Sequence, residues 1–264
     1  MIMQHHKISN LVKPLFNGTP RNPYAIGIFL AITLLSSGCA SMNGDPGDPF
    51  ENYNRAVFQF NQDFDRVYTK PIAKAYKKVV PAPVSRGITN FFSNLYDVTV
   101  LANDILQFKL GQAAQDSMRI FFNTTIGLAG FIDVATYMEL PRHNEDFGQT
   151  LGYWGVPPGP YFVLPFLGPS TIRDSVGLAT DYTYFSPLFK LKAGERNALV
   201  VVNFIDTRAG LLGADRILNA AALDPYVFTR DAYLQRRLYL IYDGNPPEDK
   251  LEDENADAPE KPPD

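Results

Sequence analysis

The sequence predicts an all-α fold. Three observations carry that expectation. Apolar residues recur at spacings of three and four through most of residues 48–243. Prolines and cap residues cut those stripes into pieces of helical length. No alternating strand pair with a turn dipeptide between its halves emerges. Short helices joined by Pro/Gly turns, in a chain that is 13% aromatic, do not read as a four-helix bundle, whose helices are longer.

The chain opens on a leader. Lys7, Lys13 and Arg21 precede an apolar run from Ala25 to Leu35, which is too short to span a bilayer. The run ends in Ser36-Ser-Gly-Cys-Ala40, which resembles a bacterial lipobox with Ser36 where Leu is usual. Residues 1–38 therefore read as a lipoprotein signal peptide, and Cys39, the one cysteine of the chain, as the lipidated first residue of the mature protein. More than one acyl chain, at ~0.8 kcal/mol per buried methylene, makes such anchoring effectively permanent. One cysteine allows no internal disulfide, so an exported fold must be held by packing. Residues 39–47 read as a tether.

A first helix is predicted from Pro49, with Asp48 as its N-cap and Glu51 in a capping-box position. Phe50, Tyr53, Val57, Phe60, Phe64 and Val67 form its apolar stripe, and Asn54, Gln59, Asn61 and Gln62 make its polar side rich in amides. Pro71 is expected to restart the helix. Lys70, Lys74, Lys77 and Lys78 flank the next stripe and read as a solvated face, with anionic lipid head groups as the alternative contact. After Pro81-Ala-Pro83, one helix is expected to about Tyr96 and another from an Asp97 cap. Ala113 to Ile126 reads as a further helix, and Ile120–Ile132 holds thirteen residues without a charge, suggesting burial on all sides in a central core helix, with lipid contact as the alternative. Ser170 is expected to cap a helix to about Tyr182. Leu191 or Glu195 opens a long amphipathic helix, and Asp224-Pro225 starts the last one, to Tyr242. Residues 244–264 read as an acidic, Pro-rich disordered tail.

The stretch Phe147–Ile172 organises the rest. It holds no charged residue and no histidine, yet five glycines and five prolines break it, so neither one spanning helix nor a mid-sheet strand fits. What remains is a rigid, irregular apolar segment. It lies either under a soluble core or at membrane depth, where protein satisfies its backbone.

Charge and motifs exclude several functions. The leader carries +3 and residues 245–264 carry −6; removing both from the net −4 leaves the body at −1, with no basic patch for nucleic acid. Of three histidines only His143 lies outside the leader, so no zinc-ligating cluster is expected, and no other metal or cofactor. No G-x-S-x-G elbow, Walker loop or G-x-G-x-x-G occurs. An enzyme is not expected.

Four stretches carry a family resemblance: Asp48-Pro-Phe-Glu-x-Tyr-Asn-Arg; Phe58-Gln-Phe-Asn; Arg119-Ile-Phe-Phe-Asn-Thr-Thr-Ile-Gly-Leu-Ala-Gly-Phe-Ile-Asp; and Asp146-Phe-Gly-Gln-Thr-Leu-Gly-Tyr-Trp-Gly-x-x-x-Gly-Pro-Tyr, followed by Leu164-Pro165. In that order, over residues 48–242, they are similar to the MlaA (VacJ) family. The resemblance implies an outer-membrane lipoprotein whose helices form a ring in the periplasmic leaflet around a central amphipathic channel. It implies removal of mislocalised phospholipid from the outer leaflet, association with a trimeric porin, and delivery to the periplasmic lipid carrier MlaC. On that reading Asn54, Phe60 and Asn61 are channel or gate candidates, and Phe131, Trp154, Tyr161, Phe162 and Phe166 are membrane-facing candidates. Two alternatives stand beside it: a porin-associated structural lipoprotein that moves nothing, and a periplasmic phospholipase or acyltransferase.

Overall fold

A computed structural model describes residues 48–215 and 224–248. The proposed signal peptide, Cys39, the tether and most of the acidic tail lie outside the described residues. The described chain is helical, as its periodicity predicts, with one β-hairpin that the periodicity does not predict. Among the described residues no helix is long and apolar enough to cross a membrane.

Helix α1 (Glu51–Phe64) runs through a π-helical turn at Asp65–Thr69 straight into α2 (Lys70–Val79), so Pro71 does not interrupt the rod. A proline ring clashes with the carbonyl four residues earlier, and here that carbonyl belongs to Val67, inside the widened turn that gives the ring room. Asp48 is not the N-cap: Phe50 holds that position, and Asp48 is buried. After Pro81, α3 (Ala82–Leu106) is one 25-residue helix where two were expected. Asp97 does not cap a second helix. It sits buried mid-helix, 3.3 Å from Arg142 and 3.9 Å from Arg119 on the neighbouring helix, so its charge is met from outside rather than by a helix start.

Helix α4 (Leu110–Thr125) packs back along α3. It stops before the stretch 126–132, where Leu128, Ala129 and Gly130 all take positive φ. Asp133 caps the single turn α5 (Val134–Tyr137), and Asp146 caps α6 (Phe147–Tyr153), each by accepting a backbone N–H. Strands β1 (Tyr161–Leu164) and β2 (Gly168–Thr171) pair antiparallel, Tyr161 opposite Thr171. Thr171, not Ser170, caps α7 (Ile172–Thr180). A π turn at Asp181–Phe185 and a 3-10 turn at Pro187–Lys190 lead to α8 (Ala193–Leu211), which packs on α2. The last helix, α9 (Pro225–Ile241), starts as read, with Asp224 accepting from the amides of Tyr226 and Val227.

One glycine of the charge-free stretch, Gly148, is explained by a crossing. A Cβ on Gly177 of α7 would lie 2.3 Å from the amide nitrogen of Gly148 on α6, so the two helices touch backbone to backbone.

Polarity is inverted relative to an ordinary soluble domain. Among the described residues, ten buried ones are hydrophobic and twenty-two are polar or charged, so hydrogen bonds and ion pairs rather than aliphatic packing fill most of the interior. An apolar cluster of buried residues, Tyr161, Val163 and Tyr226, joins the hairpin to α9.

Candidate functional site

The hairpin is held by amides on α1. The side chain of Asn54 donates to the carbonyl of Tyr161 (3.2 Å) and accepts from the amide of Val163 (2.8 Å). Seven residues on, Asn61 donates to the carbonyl of Leu164 (2.9 Å) and accepts from the amide of Phe166 (2.7 Å). Each asparagine thus binds the carbonyl of one residue and the amide two residues later, as a neighbouring strand would. The spacings match: two helical turns rise about 10.5 Å, and the three residues separating the two contacts along the hairpin advance about 10 Å. These bonds explain how proline enters a strand. Pro169 faces Val163, whose amide already points away to Asn54, so no ladder bond between the strands is lost there.

An aromatic seam runs beside the clamp. Phe166, at the hairpin tip with φ +66°, meets Phe60 edge-on at 5.3 Å and Phe64 at 5.0 Å; Phe64 also contacts Tyr68 at 5.2 Å. The structure therefore brings Phe60, Asn61 and Phe166 to one place. Phe60 and Phe166 are both about half exposed. Hence one side of the hairpin tip is latched to α1 by polar bonds and by rings that also face outward.

Two candidates need correction. Asn54 is fully buried, and it also donates to Asp48 (2.8 Å), which accepts the Tyr226 hydroxyl. It ties α1, the hairpin and α9 together rather than lining an open wall. Tyr161 is 2% exposed, edge-on to Tyr226 and tilted against Tyr233, so it does not face a membrane. Alternation along β1 puts it inside and leaves its neighbour Phe162 half-buried. Phe131 stacks on Phe91 at 5.2 Å yet stays 45% exposed, and Trp154 is half exposed while its indole N–H donates to the Leu106 carbonyl (3.2 Å).

The expected all-round burial of Ile120–Ile132 is also corrected. Asn123, Gly127 and Gly130 point inward, while Phe121, Ile126, Leu128, Phe131 and Ile132 point out. Asn123 earns its place inside by donating to Asp133 (3.1 Å) and accepting from the amide of Ala135 (2.9 Å).

Behind these surfaces lies a polar interior whose members are too far apart along the chain for any local motif to announce them. Gln107 donates to Glu145 (2.8 Å) and Thr150 (3.0 Å), Thr150 donates to Asn103 (2.8 Å), and Asn103 donates to Asp181 (3.0 Å). Lys109 neutralises Glu145 at 2.8 Å. Burial pushes the Asp181 carboxyl up to about 6, against the Phe147 amide and the Asn103 side chain that favour its charge. Asp104 is pushed further, up to about 8, first by burial and then by the neighbouring Asp116 carboxylate. Both causes favour the protonated form of Asp104. His143 contacts the other carboxyl, its Nδ1 2.8 Å from Asp116. A cavity of about 330 Å³ beside it is lined by Arg142, His143, Arg236 and Tyr239, and contains none of the gate candidates.

A helical body with a polar interior, outward-facing apolar side chains and an amide-clamped hairpin is the class defined by this geometry. The family model "MlaA lipoprotein" matches residues 46–240, and the chain belongs to the MlaA family. The chain is 37% identical over 222 residues to the intermembrane phospholipid transport system lipoprotein MlaA of Escherichia coli (strain K12), covering 80% of this chain and 86% of that one. It is 34% identical to the same-named protein of Haemophilus influenzae, covering 81% and 89%. A solved structure described as the structural basis for maintenance of bacterial outer membrane lipid asymmetry superposes with a TM-score of 0.66 at 37% identity, over 75% of this chain and 99% of the other.

Proposed function

We propose that this chain is an outer-membrane lipoprotein, anchored through Cys39 in the periplasmic leaflet, that withdraws mislocalised phospholipid from the outer leaflet along an amphipathic channel ringed by its helices. It passes the lipid to the periplasmic carrier MlaC while associated with a trimeric porin. The names of its relatives support the pathway, and one structural observation supports the mechanism: the interior is polar, while large apolar side chains such as Phe121, Leu128 and Phe131 are exposed. Water is the wrong solvent for such a surface, and hydrocarbon is the right one.

The chemistry asks for this arrangement. Drawing a two-chain phospholipid into water exposes about thirty methylenes, at ~0.8 kcal/mol each, more than 20 kcal/mol in all. A protein with no energy source lowers that barrier only by keeping the chains against apolar surface and the head group against polar groups along the whole route. Catalysis has no part in this reading. The hairpin tip is the gate: Phe60 and Phe166 close it, and Asn61 sets how far it swings.

The test is complementation of a strain lacking the protein. Outer-leaflet phosphatidylethanolamine is read with a membrane-impermeant amine reagent, together with detergent sensitivity. The wild type restores a lipid-poor outer leaflet, and deletion of Phe60–Asn61 changes it. A wild-type protein that leaves surface phospholipid unaltered overturns the transport reading. Photocrosslinks from the hairpin that capture porin but never phospholipid would favour the structural alternative.

A further inference from the structure

Between Asp65 and Asp97 the chain contains no acid: residues 66–96 carry Arg66, Lys70, Lys74, Lys77, Lys78 and Arg86. Arg66 pairs with Asp63 and Lys70 with Asp215, both at 2.7 Å. Lys74, Lys77, Lys78 and Arg86 are exposed and have no carboxylate partner among the described residues. Helix α2 divides these residues into three stripes at 100° per residue. Thr69, Ala73 and Tyr76 face inward, with the Tyr76 hydroxyl donating to Asp206 of α8 (2.7 Å). Lys70, Lys74, Lys77 and Lys78 form a second stripe. Ile72, Ala75 and Val79 form a third, wholly exposed one; Val79 is 78% exposed, and Val84 continues it at the start of α3.

From this we infer that α2 and the α2–α3 corner are a docking surface for anionic phospholipid, distinct from the hairpin gate. The apolar stripe enters the hydrocarbon boundary and the lysine stripe lies at head-group level, its methylene stems snorkelling along the apolar edge. An acidic protein partner would account for the lysines but leave Ile72, Val79 and Val84 in water. A negatively charged lipid surface accounts for both stripes. The inference rests on the membrane seat proposed above, and adds to it a head-group preference that concentrates acidic lipid beside the protein. Each lysine at such a surface is worth about fivefold in local affinity.

The test uses the full chain reconstituted into vesicles of phosphatidylcholine alone or with phosphatidylglycerol, recovered by flotation. Amine labelling at Lys74, Lys77 and Lys78 is read by peptide mass spectrometry. Phosphatidylglycerol should slow labelling of these three lysines by at least about fivefold, the protection should fall in high salt, and Lys77→Arg with Lys78→Arg should retain preferential association with the anionic lipid while Lys77→Gln with Lys78→Gln loses it. Equal labelling in both vesicles, with the protein afloat in each, overturns the inference and leaves the membrane seat intact. Failure to float with either vesicle overturns both. Protection that needs no vesicle and disappears when residues 249–264 are removed assigns the lysines to the chain's own acidic tail, and overturns the inference as well.

Discussion

At the scale of single residues, Asn54 and Asn61 are chemically identical and do different work. Asn54 is fully buried and satisfies three partners, two on β1 and one at Asp48, so its loss strands an amide, a carbonyl and a carboxylate oxygen away from water. Asn54→Ala should destabilise the protein by about 2–4 kcal/mol, as cut hydrogen bonds in a buried network do. Asn61 makes two bonds at a half-exposed position where water can replace it, so Asn61→Ala should cost only about 1 kcal/mol while shifting outer-leaflet phospholipid. Denaturant unfolding in detergent alongside surface-lipid labelling separates the two; equal stability losses would remove the distinction. Asp104 supplies a second residue-scale prediction. Its folded carboxyl titrates near 8, above the ordinary value of 3.8, so the folded state holds a proton that the unfolded state releases. The stability this contributes is fully present below about pH 4 and is lost as pH rises toward 8, by at most about 1.4 kcal/mol per pH unit. Asp104→Asn cannot release that proton and should flatten the pH dependence of unfolding between pH 5 and 8. An unchanged slope would place the titrating group elsewhere.

At the scale of elements, what could be read in the sequence was whatever rested on local chemistry. The Asp224-Pro225 start of α9 is a side-chain bond to amides two and three residues away, and its pattern is written contiguously. The α1 stripe and the α8 periodicity are equally local. What was hidden depends on partners far along the chain. Asp97 looked like a cap until Arg119 and Arg142 came to meet it in mid-helix. The hairpin looked impossible because proline removes ladder donors, yet its outer bonds go to asparagines more than a hundred residues earlier. The only sequence trace of that clamp is two asparagines seven residues apart on an amide-rich helix. The hairpin is therefore an element whose register is set by α1. Phe166→Ala should leave the four backbone bonds intact while removing two ring contacts, so it should free the tip without unfolding the strands. Faster amide exchange at Leu167 and Gly168, with residues 161–163 and the Asn61-bound amide of residue 166 still protected, is the expected result; loss of protection along both strands would mean the rings, not the amides, hold the hairpin.

At the scale of the whole molecule, one ordering principle links a polar interior to an apolar exterior. Residues such as Phe121, Leu128 and Ile132 point out because the inner side of their helix and turn is occupied by Arg119, Asn123 and Asp133, bonded to one another. On the proposed membrane seat that arrangement turns the exposed apolar side chains toward hydrocarbon, and the proposal makes a measurable claim through the single tryptophan of the chain. Trp154 follows α6, half exposed, with its indole N–H held by the Leu106 carbonyl, so its ring has a defined orientation and its donor is satisfied without water. In vesicles its emission should be blue-shifted and quenched by phospholipids brominated on their acyl chains, more strongly than by an aqueous quencher such as iodide. Phe131→Asp together with Leu128→Asp places two charges on the same kind of surface. In a soluble protein such surface changes alter stability by no more than about 0.5 kcal/mol, whereas each charge held at membrane depth costs about 2–3 kcal/mol. The double variant should therefore keep its helical content yet associate more weakly or less deeply with vesicles. A Trp154 that stays open to iodide and untouched by brominated chains would mean that its part of the apolar surface meets water or protein, and the membrane seat would lose its physical basis.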